Sequence, residues 1–349
     1  MSGPLFFVQP LNLLHLRAVS PSTWRTIELD RGDHGVRIDR VLLRHLRDER
    51  VSRNQIQKWI EAGDVLVNGA PAARAAWRMQ AGDALTVRFS PRPPRSRPAA
   101  EMIPLDVLYE DDELLAVNKP AGLVVHPSYK NASGTLMNGV LARAREWPAG
   151  SKPGLLGRLD KYTSGVVVIT KRGQVHAALQ RAMDARAVDK DYLAIVWGKP
   201  SPVRGSIDLA LDRDPWDRRR ITVTDRGGQP SVTRYDRLGS AGTFSQVRLR
   251  LITGRTHQIR VHLAAKGWPI VGDAVYGRKA PRIAGADTVE IARGFPRQAL
   301  HAWRLSFRHP ISGNELLIVA PLPADMRELL AGLELADVSA QATTRRRTI

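Results

Sequence analysis

The stretch GRLDKYTSGVVVITK, residues 157–171, places one carboxylate, Asp160, between an arginine and a short polar turn that leads into a strand. The strand is predicted over residues 166–169, a run of β-branched apolar residues bounded by turn signals. An aspartate held rigidly at a strand edge beside a cation is a candidate nucleophile. The alternative is that Asp160 only caps the turn by accepting hydrogen bonds from backbone N–H groups. This stretch alone leaves both interpretations open.

Several other segments carry distinctive patterns in a fixed order along the chain. They are NKPAGLVVHPS at residues 118–128, DKDYLAIVWG at 189–198, LITGRTHQIRVH at 251–262, LHAWRLSFRHP at 300–310 and APLP at 320–323. Together with residues 157–171 they resemble the RluA-type pseudouridine synthases over roughly residues 105–325. That family usually has His where this chain has Gly157, and GRLD looks more like the sister RsuA type. The departure concerns the subfamily and leaves the catalytic assignment unchanged.

The resemblance implies a catalytic site built from Asp160, Tyr192 and Arg260. Asp160 would attack the sugar as a nucleophile or remove a sugar proton on a glycal route, and the sequence does not choose between these. Arg260 would be the cation that keeps this carboxylate ionised in a cleft without water. Tyr192 would lie flat against the target base and take the C5 proton, the alternative being an ordinary strand aromatic. Arg158 would fill the base stack once the uridine is flipped out, and Ile259 would help wall the pocket.

Composition restricts the class of partner. A net charge of +19 and a pI of about 11.0 favour a polyanion, and nucleic acid rather than a membrane. Arginine predominates over lysine, which suits bidentate phosphate contacts, although a GC-rich genome gives the same bias. No stretch approaches the ~18 apolar residues of a membrane span. Cysteine is absent, which excludes disulfides and thiolate metal sites and fits a reducing cytoplasm.

No cofactor is expected. Isomerising uridine consumes neither a redox equivalent nor a phosphate, and the chain has no GxxxxGK[ST] phosphate loop. His257 and His262 are close in sequence, but no third ligand clusters with them, so a metal site is disfavoured. Arg255 and His257 are expected to have structural or phosphate-contacting roles.

Residues 36–90 are predicted to form a small separate module. Ile38, Val41 and Leu42 have helical spacing, and a second helix is predicted to begin after Ser52. The phrases SRNQIQKWIEAGDVLVNG and GDALTV resemble the RNA-binding domain of ribosomal protein S-four. A solvated basic helix without RNA contact is the alternative. The module carries a stripe of arginines that includes Arg47, and its candidate RNA contacts are Arg37, Arg40, Arg44, Arg53 and Lys58.

The rest of the chain divides by composition. Residues 105–330 are predicted to fold as an α+β catalytic domain around a largely antiparallel mixed sheet, because strands outnumber helices without regular βαβ alternation. Within it, a strand is predicted over residues 244–252 from the alternation of Val247, Leu249 and Leu251, and LITGRTHQIRVH is interpreted as placing Arg255 and Arg260 at the end of that strand. The flanking segments are predicted to be a poorly ordered extension (residues 1–35), a Pro/Arg linker (residues 91–104) and a polar tail (residues 331–349).

The leading functional prediction is an RNA pseudouridine synthase, a monomeric cytoplasmic isomerase that acts on structured RNA. The accessory RNA-binding module favours large-subunit ribosomal RNA, and tRNA is the alternative substrate. A rival of another class is a non-catalytic RNA-binding or ribosome-assembly protein on the same fold, against which the presence of Asp160, Tyr192 and Arg260 counts. A DNA-binding regulator is disfavoured because no helix-turn-helix pattern is evident.

Overall fold

The structure is a computed structural model that describes residues 23–49, 51–89, 98–128, 131–217, 220–277, 287–337 and 339. The chain divides into two compact units, with the boundary between Arg97 and Pro98. Among the helices of the described residues, none combines the length and the apolar character needed to cross a bilayer.

The smaller unit combines a four-stranded antiparallel sheet with two helices. The helices follow the predicted apolar spacing, since Ile38, Val41 and Leu42 are buried in the first and Ile56 and Ile60 in the second. The second helix begins as predicted, with the Ser52 hydroxyl accepting a hydrogen bond from the backbone N–H of Gln55 at 3.3 Å. The strand order is β1-β4-β2-β3, with elements β1 (Thr23–Ile27), α1 (Ile38–His45), α2 (Arg53–Glu61), β2 (Val65–Val67), β3 (Ala70–Pro71) and β4 (Leu85–Phe89).

The expectation of a poorly ordered extension is wrong for residues 23–35. Strand β1 pairs along its whole length with β4, and the Ile27 side chain enters the core of the small unit. A 3₁₀ turn follows at Arg31–Asp33. A single five-residue strand without strong alternation gives little signal in sequence, because its partner lies some sixty residues away. Residues 1–22 lie outside the described part of the chain.

The larger unit is built on one large sheet, ordered β10-β13-β14-β9-β15-β8-β6-β5, with β16 added to β15 and β7 added to β8. Neighbouring strands run antiparallel except β15 and β8, which are parallel, so the predicted α+β class is confirmed. The strands are β5 (Val107–Glu110), β6 (Leu114–Lys119), β7 (Gly154–Leu156), β8 (Ser164–Thr170), β9 (Asp189–Trp197), β10 (Arg204–Asp208), β11 (Leu211–Arg213), β12 (Ile221–Val223), β13 (Val232–Ala241), β14 (Phe244–Leu251), β15 (Leu300–Arg308) and β16 (Glu315–Val319).

The parallel pair β8–β15 requires a glycine at its start. Gly165 has φ +114°, and a Cβ there would lie 2.1 Å from the backbone oxygen of Ala302. Every residue of β8 is buried, which places the strand that follows Asp160 in the interior of the domain. The separate ribbon of β11 and β12 pairs antiparallel outside the large sheet.

Helices flank the sheet, and one of them corrects the sequence interpretation. Arg260 does not lie at the end of a strand, because β14 ends at Leu251 and a turn leads into a helix that carries Arg260. All residues from 258 to 264 are buried, so this helix has no polar face to reveal it in the sequence. The helices are α3 (Leu136–Arg143), α4 (Gly173–Asp184), α5 (Gln258–Ala265), α6 (Asp287–Gly294) and α7 (Ala324–Gly332).

Both flanking segments also end differently from their predicted bounds. Residues 98–104 belong to the larger unit, because the carbonyl oxygen of Ala99 accepts a hydrogen bond from the Asn138 side chain at 2.7 Å. The tail predicted from residue 331 overlaps α7, and Leu333 and Leu335 beyond it are buried in the main core. The linker residues 90–97, together with 338 and 340–349, lie outside the described residues.

Candidate active site

Asp160 lies in the turn between β7 and β8. Its backbone oxygen accepts a hydrogen bond from the N–H of Thr163 at 3.1 Å, which closes the turn before the buried strand. The turn is entered through Gly157, which has φ +84°, a left-handed conformation that glycine adopts without strain. This backbone gives a conformational reason for glycine at a position where the RluA pattern has His.

The amine of Lys119 holds this turn in place from the end of β6. Lys119 is fully buried, and its Nζ donates hydrogen bonds to the carbonyl oxygens of Pro120 (2.8 Å), Leu123 (2.9 Å) and Lys161 (3.1 Å). Burial lowers the pKa of Lys119 to about 7, whereas three carbonyl acceptors match the three N–H groups of an ammonium and favour the charged form. The segment NKPAGLVVHPS is thereby connected to the Asp160 turn.

Arg260 is placed by α5 between two carboxylates. Its Nη1 donates to Asp160 at 2.9 Å, while Nε and Nη2 grip both oxygens of Asp273 at 2.7 and 2.9 Å. The Arg260 side chain is only 6% exposed and that of Asp273 only 1%. Burial alone would lower the pKa of Arg260 and raise that of Asp273, but the opposite charges outweigh burial and shift both pKa values the other way. The pair is therefore ionised, and Arg260 presents a fixed positive charge to Asp160.

His257 forms a second approach to Asp160. Its Nε2 lies 3.8 Å from the Asp160 carboxylate, and its Nδ1 lies 2.9 Å from the Tyr276 hydroxyl. Burial lowers the pKa of His257, opposed by Asp160 and assisted by Arg260, so the imidazole is neutral at neutral pH. The Tyr276 hydroxyl already accepts the N–H of Ile221 at 2.9 Å, so its own hydrogen can be donated to Nδ1. That donation would leave the imidazole proton on Nε2, on the side of Asp160.

Gln258 organises the turn that precedes α5. Its side-chain oxygen accepts the Thr253 hydroxyl at 2.8 Å and the N–H of Arg255 at 3.0 Å. Its side-chain nitrogen donates to the backbone oxygen of Val232 at 3.0 Å and to the Thr233 hydroxyl at 2.9 Å. The buried amide therefore makes four hydrogen bonds and fixes the path of TGRT beside the site.

The structure brings the predicted site residues of the larger unit together around one cleft. Asp160, Arg260, Tyr192, Ile259 and Arg158 all line it. Burial raises the pKa of Tyr192, and the nearby Asp160 charge raises it further, so the phenol is neutral at neutral pH. Ile259 is 4% exposed and gives the cleft an apolar wall, whereas Arg158 is exposed at its edge.

The candidate RNA contacts of the small unit differ in how they are held. The Asp39 carboxylate, fully buried, is bonded by both Arg37 and Arg53, at 3.0 and 2.9 Å. Arg44 is ion-paired with Asp30 and Asp33. These three arginines therefore have structural roles in the module as well as exposed surface. Arg40 and Lys58 are exposed on α1 and α2, and RNA contact by all five stays a prediction.

His257 and His262 have different partners in the described part of the chain. His262 is buried against the Thr233 hydroxyl and the Leu209 carbonyl, away from the His257 contacts to Tyr276 and Asp160. A group of potential ligands does occur in the small unit, formed by Asp30, Asp33 and His45. There the Arg44 guanidinium lies 2.7 Å from Asp30 and 2.6 Å from Asp33, so a cation already neutralises the two carboxylates.

Sequence reasoning missed three groups that shape the site. Asp273 and Tyr276 belong to GDAVYG, residues 272–277. Asp273 contacts Arg260 and Tyr276 contacts His257, although these partners lie 13 and 19 positions earlier in the chain. Lys119 lay within a segment used for the resemblance, but a buried amine bonded to three carbonyls has no sequence signature. The clustering of Asp160 and Arg260, one hundred positions apart, could be expected only from the resemblance.

Known proteins match both units. The sequence model of the family described as RNA pseudouridylate synthase matches residues 113–265, and that of the S4 domain matches residues 36–85. "Ribosomal large subunit pseudouridine synthase D" of Xanthomonas campestris is 40% identical over 314 residues, covering 89% of this chain and 93% of that protein. "Uncharacterized RNA pseudouridine synthase YlyB" of Bacillus subtilis is 40% identical over 300 residues, covering 85% and 94%. The solved structure "Human RNA Pseudouridylate Synthase Domain Containing 4" superposes with a TM-score of 0.54 at 29% identity, covering 66% of this chain and 93% of that chain.

The family match and the relatives place the mixed sheet and its cleft carboxylate in the class of RNA-modifying isomerases that make pseudouridine. This chain belongs to the RNA pseudouridine synthase family, in its RluA branch, and carries an RNA-binding S4 domain at residues 36–85. The larger unit is called the catalytic domain below.

Proposed function

We propose that this enzyme isomerises specific uridines of large-subunit ribosomal RNA and that Asp160 carries the chemistry. The observation that supports this most is the Asp160 carboxylate, held at 2.9 Å by the buried Arg260 in a cleft lined by Tyr192. The choice of RNA rests on relatives whose names specify the ribosomal large subunit, at about 40% identity over most of their length.

Asp160 acts on the ribose of the target uridine. On one route its carboxylate attacks C1′ while the N1–C1′ bond breaks, and C5 later displaces it from C1′. On the other it removes the C2′ proton as the N1–C1′ bond breaks, and returns that proton when C5 has joined C1′. In both, the C5 proton is lost and N1 gains a proton, so atoms balance without any cofactor. Arg260 serves either route, because its Nη1 donates to the carboxylate at 2.9 Å and fixes the orientation of that carboxylate.

Tyr192 positions the base. Its ring lines the cleft with Ile259, which suits a flat apolar contact with uracil. Because the phenol is neutral at neutral pH, it must lose its own proton before it can accept one from C5. Stacking is therefore its main proposed role. Arg158, exposed at the edge of the same cleft, is proposed to replace the flipped uridine in the RNA stack.

The test is to map pseudouridine across ribosomal RNA and tRNA in cells with and without the gene. We expect discrete positions in large-subunit ribosomal RNA to lose pseudouridine and to regain it when the gene is restored. Loss confined to tRNA would replace the ribosomal substrate by the alternative. An unchanged map in both RNA classes would favour the non-catalytic assembly role. The monomeric state and cytoplasmic location are proposed with this function and are checked by light scattering and by fractionation.

A further inference from the structure

The ribbon of β11 and β12 ends in a loop with a tryptophan exposed to solvent. Trp216 is 93% exposed, whereas tryptophan is on average a highly buried residue. The neighbouring apolar side chains Ile221 and Val223 pack against Tyr276 and α5, whereas the Trp216 side chain is left uncovered. An indole presented in this way gains contact area only when a partner covers it.

Residues 214–217 are held in a turn without help from the indole. The Asp214 carboxylate accepts the N–H groups of Trp216 at 2.9 Å and Asp217 at 3.2 Å. The N–H of Asp214 donates to the backbone oxygen of Arg220 at 3.1 Å, and the N–H of Arg220 donates to that of Asp217 at 2.8 Å. Pro215 restricts the backbone immediately before the tryptophan. Trp216 is therefore displayed on a fixed turn, so little conformational entropy is lost when a partner binds.

This ribbon packs against the helix that carries Arg260. Its apolar side chains pack with those of this helix, α5. At its base the N–H of Ile221 donates to the Tyr276 hydroxyl, and the Arg220 guanidinium lies 5.6 Å from the Tyr276 ring. The same hydroxyl contacts His257, next to Asp160. Trp216 and Arg220 are four positions apart in the chain, so their Cα atoms are at most roughly 14 Å apart.

We propose that Trp216 stacks on an unpaired base of the RNA substrate, near the uridine held by Asp160. This inference rests on the proposed function, because it takes the bound partner to be the RNA. Specific RNA recognition commonly uses aromatic rings against unstacked bases, and every base offers a face for stacking. The high positive charge of the chain brings RNA to its surface, and residues 212–220 themselves carry four arginines against three aspartates. Stacking is the role we assign to the indole, because an uncharged aromatic ring contacts a base rather than a phosphate.

The test compares Trp216→Ala and Trp216→Tyr with the parent enzyme on the transcript in which mapping finds the modified uridine. Loss of one stacked base should raise KM and Kd about 5- to 150-fold in the alanine variant, with kcat and the salt dependence of binding unchanged. Tyrosine should restore most of the affinity. Ile311→Ala, which removes another exposed apolar side chain of the catalytic domain, is the control.

A second measurement identifies the base. Unpaired nucleotides near the target uridine are made abasic one at a time, and binding is measured with parent and Trp216→Ala enzymes. At one position, removing the base should weaken RNA binding by the parent enzyme. It should cause no further loss of binding by the Trp216→Ala enzyme, which already lacks the stacking partner. A parental KM in Trp216→Ala, or additive losses at every position, would overturn the proposal. Because the transcript is chosen by mapping, this test remains valid if the substrate is not ribosomal RNA. If the parent enzyme shows no turnover on any RNA, the proposed function is wrong, and the result does not bear on Trp216.

Discussion

Replacing Arg260 by alanine should destabilise the catalytic domain by about 3–5 kcal/mol, the range for removing one partner of a buried ion pair. The structure favours this range because Asp273 is 1% exposed and loses two hydrogen bonds, at 2.7 and 2.9 Å. The backbone N–H groups of Val275 and Tyr276 still reach Asp273 at 2.9 and 3.0 Å, but they do not neutralise its charge. Activity should also be lost, because Asp160 loses its contact at 2.9 Å.

The deficit should depend on pH, with a sign that identifies its cause. In the parent the pKa of Asp273 is lowered, so the stability due to this pair is present above the unfolded value near 3.9 and is lost as pH falls through the folded value. In Arg260→Ala the buried carboxylate has no cation, and its folded pKa should rise above the unfolded value. Its penalty is then full at high pH and is relieved as pH falls through the raised folded pKa, so the deficit should shrink as pH is lowered from alkaline toward the unfolded pKa.

The assay is urea unfolding, monitored through hydrogen–deuterium exchange of peptides from α5 and β14. These peptides report on the catalytic domain alone. The double variant Arg260→Ala, Asp273→Asn should recover part of the stability and lose the pH dependence, since the uncompensated charge is gone. Arg293→Ala is the control, because its ion pair with Glu290 is exposed and should matter by less than about 1 kcal/mol. A deficit in Arg260→Ala equal to that of the control, or one that grows as pH falls, would refute the reasoning.

Two further substitutions test how the Asp160 turn is held. Gly165→Ala should prevent the parallel pairing of β8 with β15, since the new Cβ would lie 2.1 Å from the Ala302 oxygen, and the purified protein should lose most of its cooperative thermal transition; a near-parental melting temperature would contradict this. Lys119→Met should keep the volume but leave three carbonyl oxygens without their donor, costing about 1–3 kcal/mol for each one left unsatisfied and buried. Exchange of the amides at residues 160–163 should accelerate in that variant, and parental exchange there would show that the turn does not depend on the amine.

Regular elements with a one-sided or wholly apolar pattern could be predicted from the sequence. The run of residues 166–169 identified β8, and the apolar strand at residues 192–197 identified most of β9. Helix α5 could not be recognised, because burial on every side removes the polar face that marks an amphipathic helix. Strand β1 was missed for a different reason, since its stability comes from pairing with β4 rather than from local preference.

The resemblance identified candidate residues of the site but not the contacts that hold them in place. Asp160, Tyr192 and Arg260 were found through the resemblance, and the structure places them around one cleft. The second carboxylate on Arg260 was not foreseen, because Asp273 acts through tertiary contact and has no pattern of its own. The same holds for Lys119, whose role depends on the carbonyl oxygens of Pro120 and Leu123 nearby and of Lys161 forty-two positions away. Such groups become visible only when the chain is folded.

The carboxylate of Asp160 is the group on which the proposed chemistry depends. The decisive measurement is single-turnover formation of pseudouridine, counted by mass spectrometry, by purified Asp160→Asn enzyme on an unmodified transcript that the parent converts. Binding of the same transcript is measured in parallel. Asparagine keeps the shape and removes the charge, so no pseudouridine should form while RNA affinity stays near that of the parent. Substantial product from the asparagine variant, with deamidation excluded by intact mass, would contradict the assignment of Asp160.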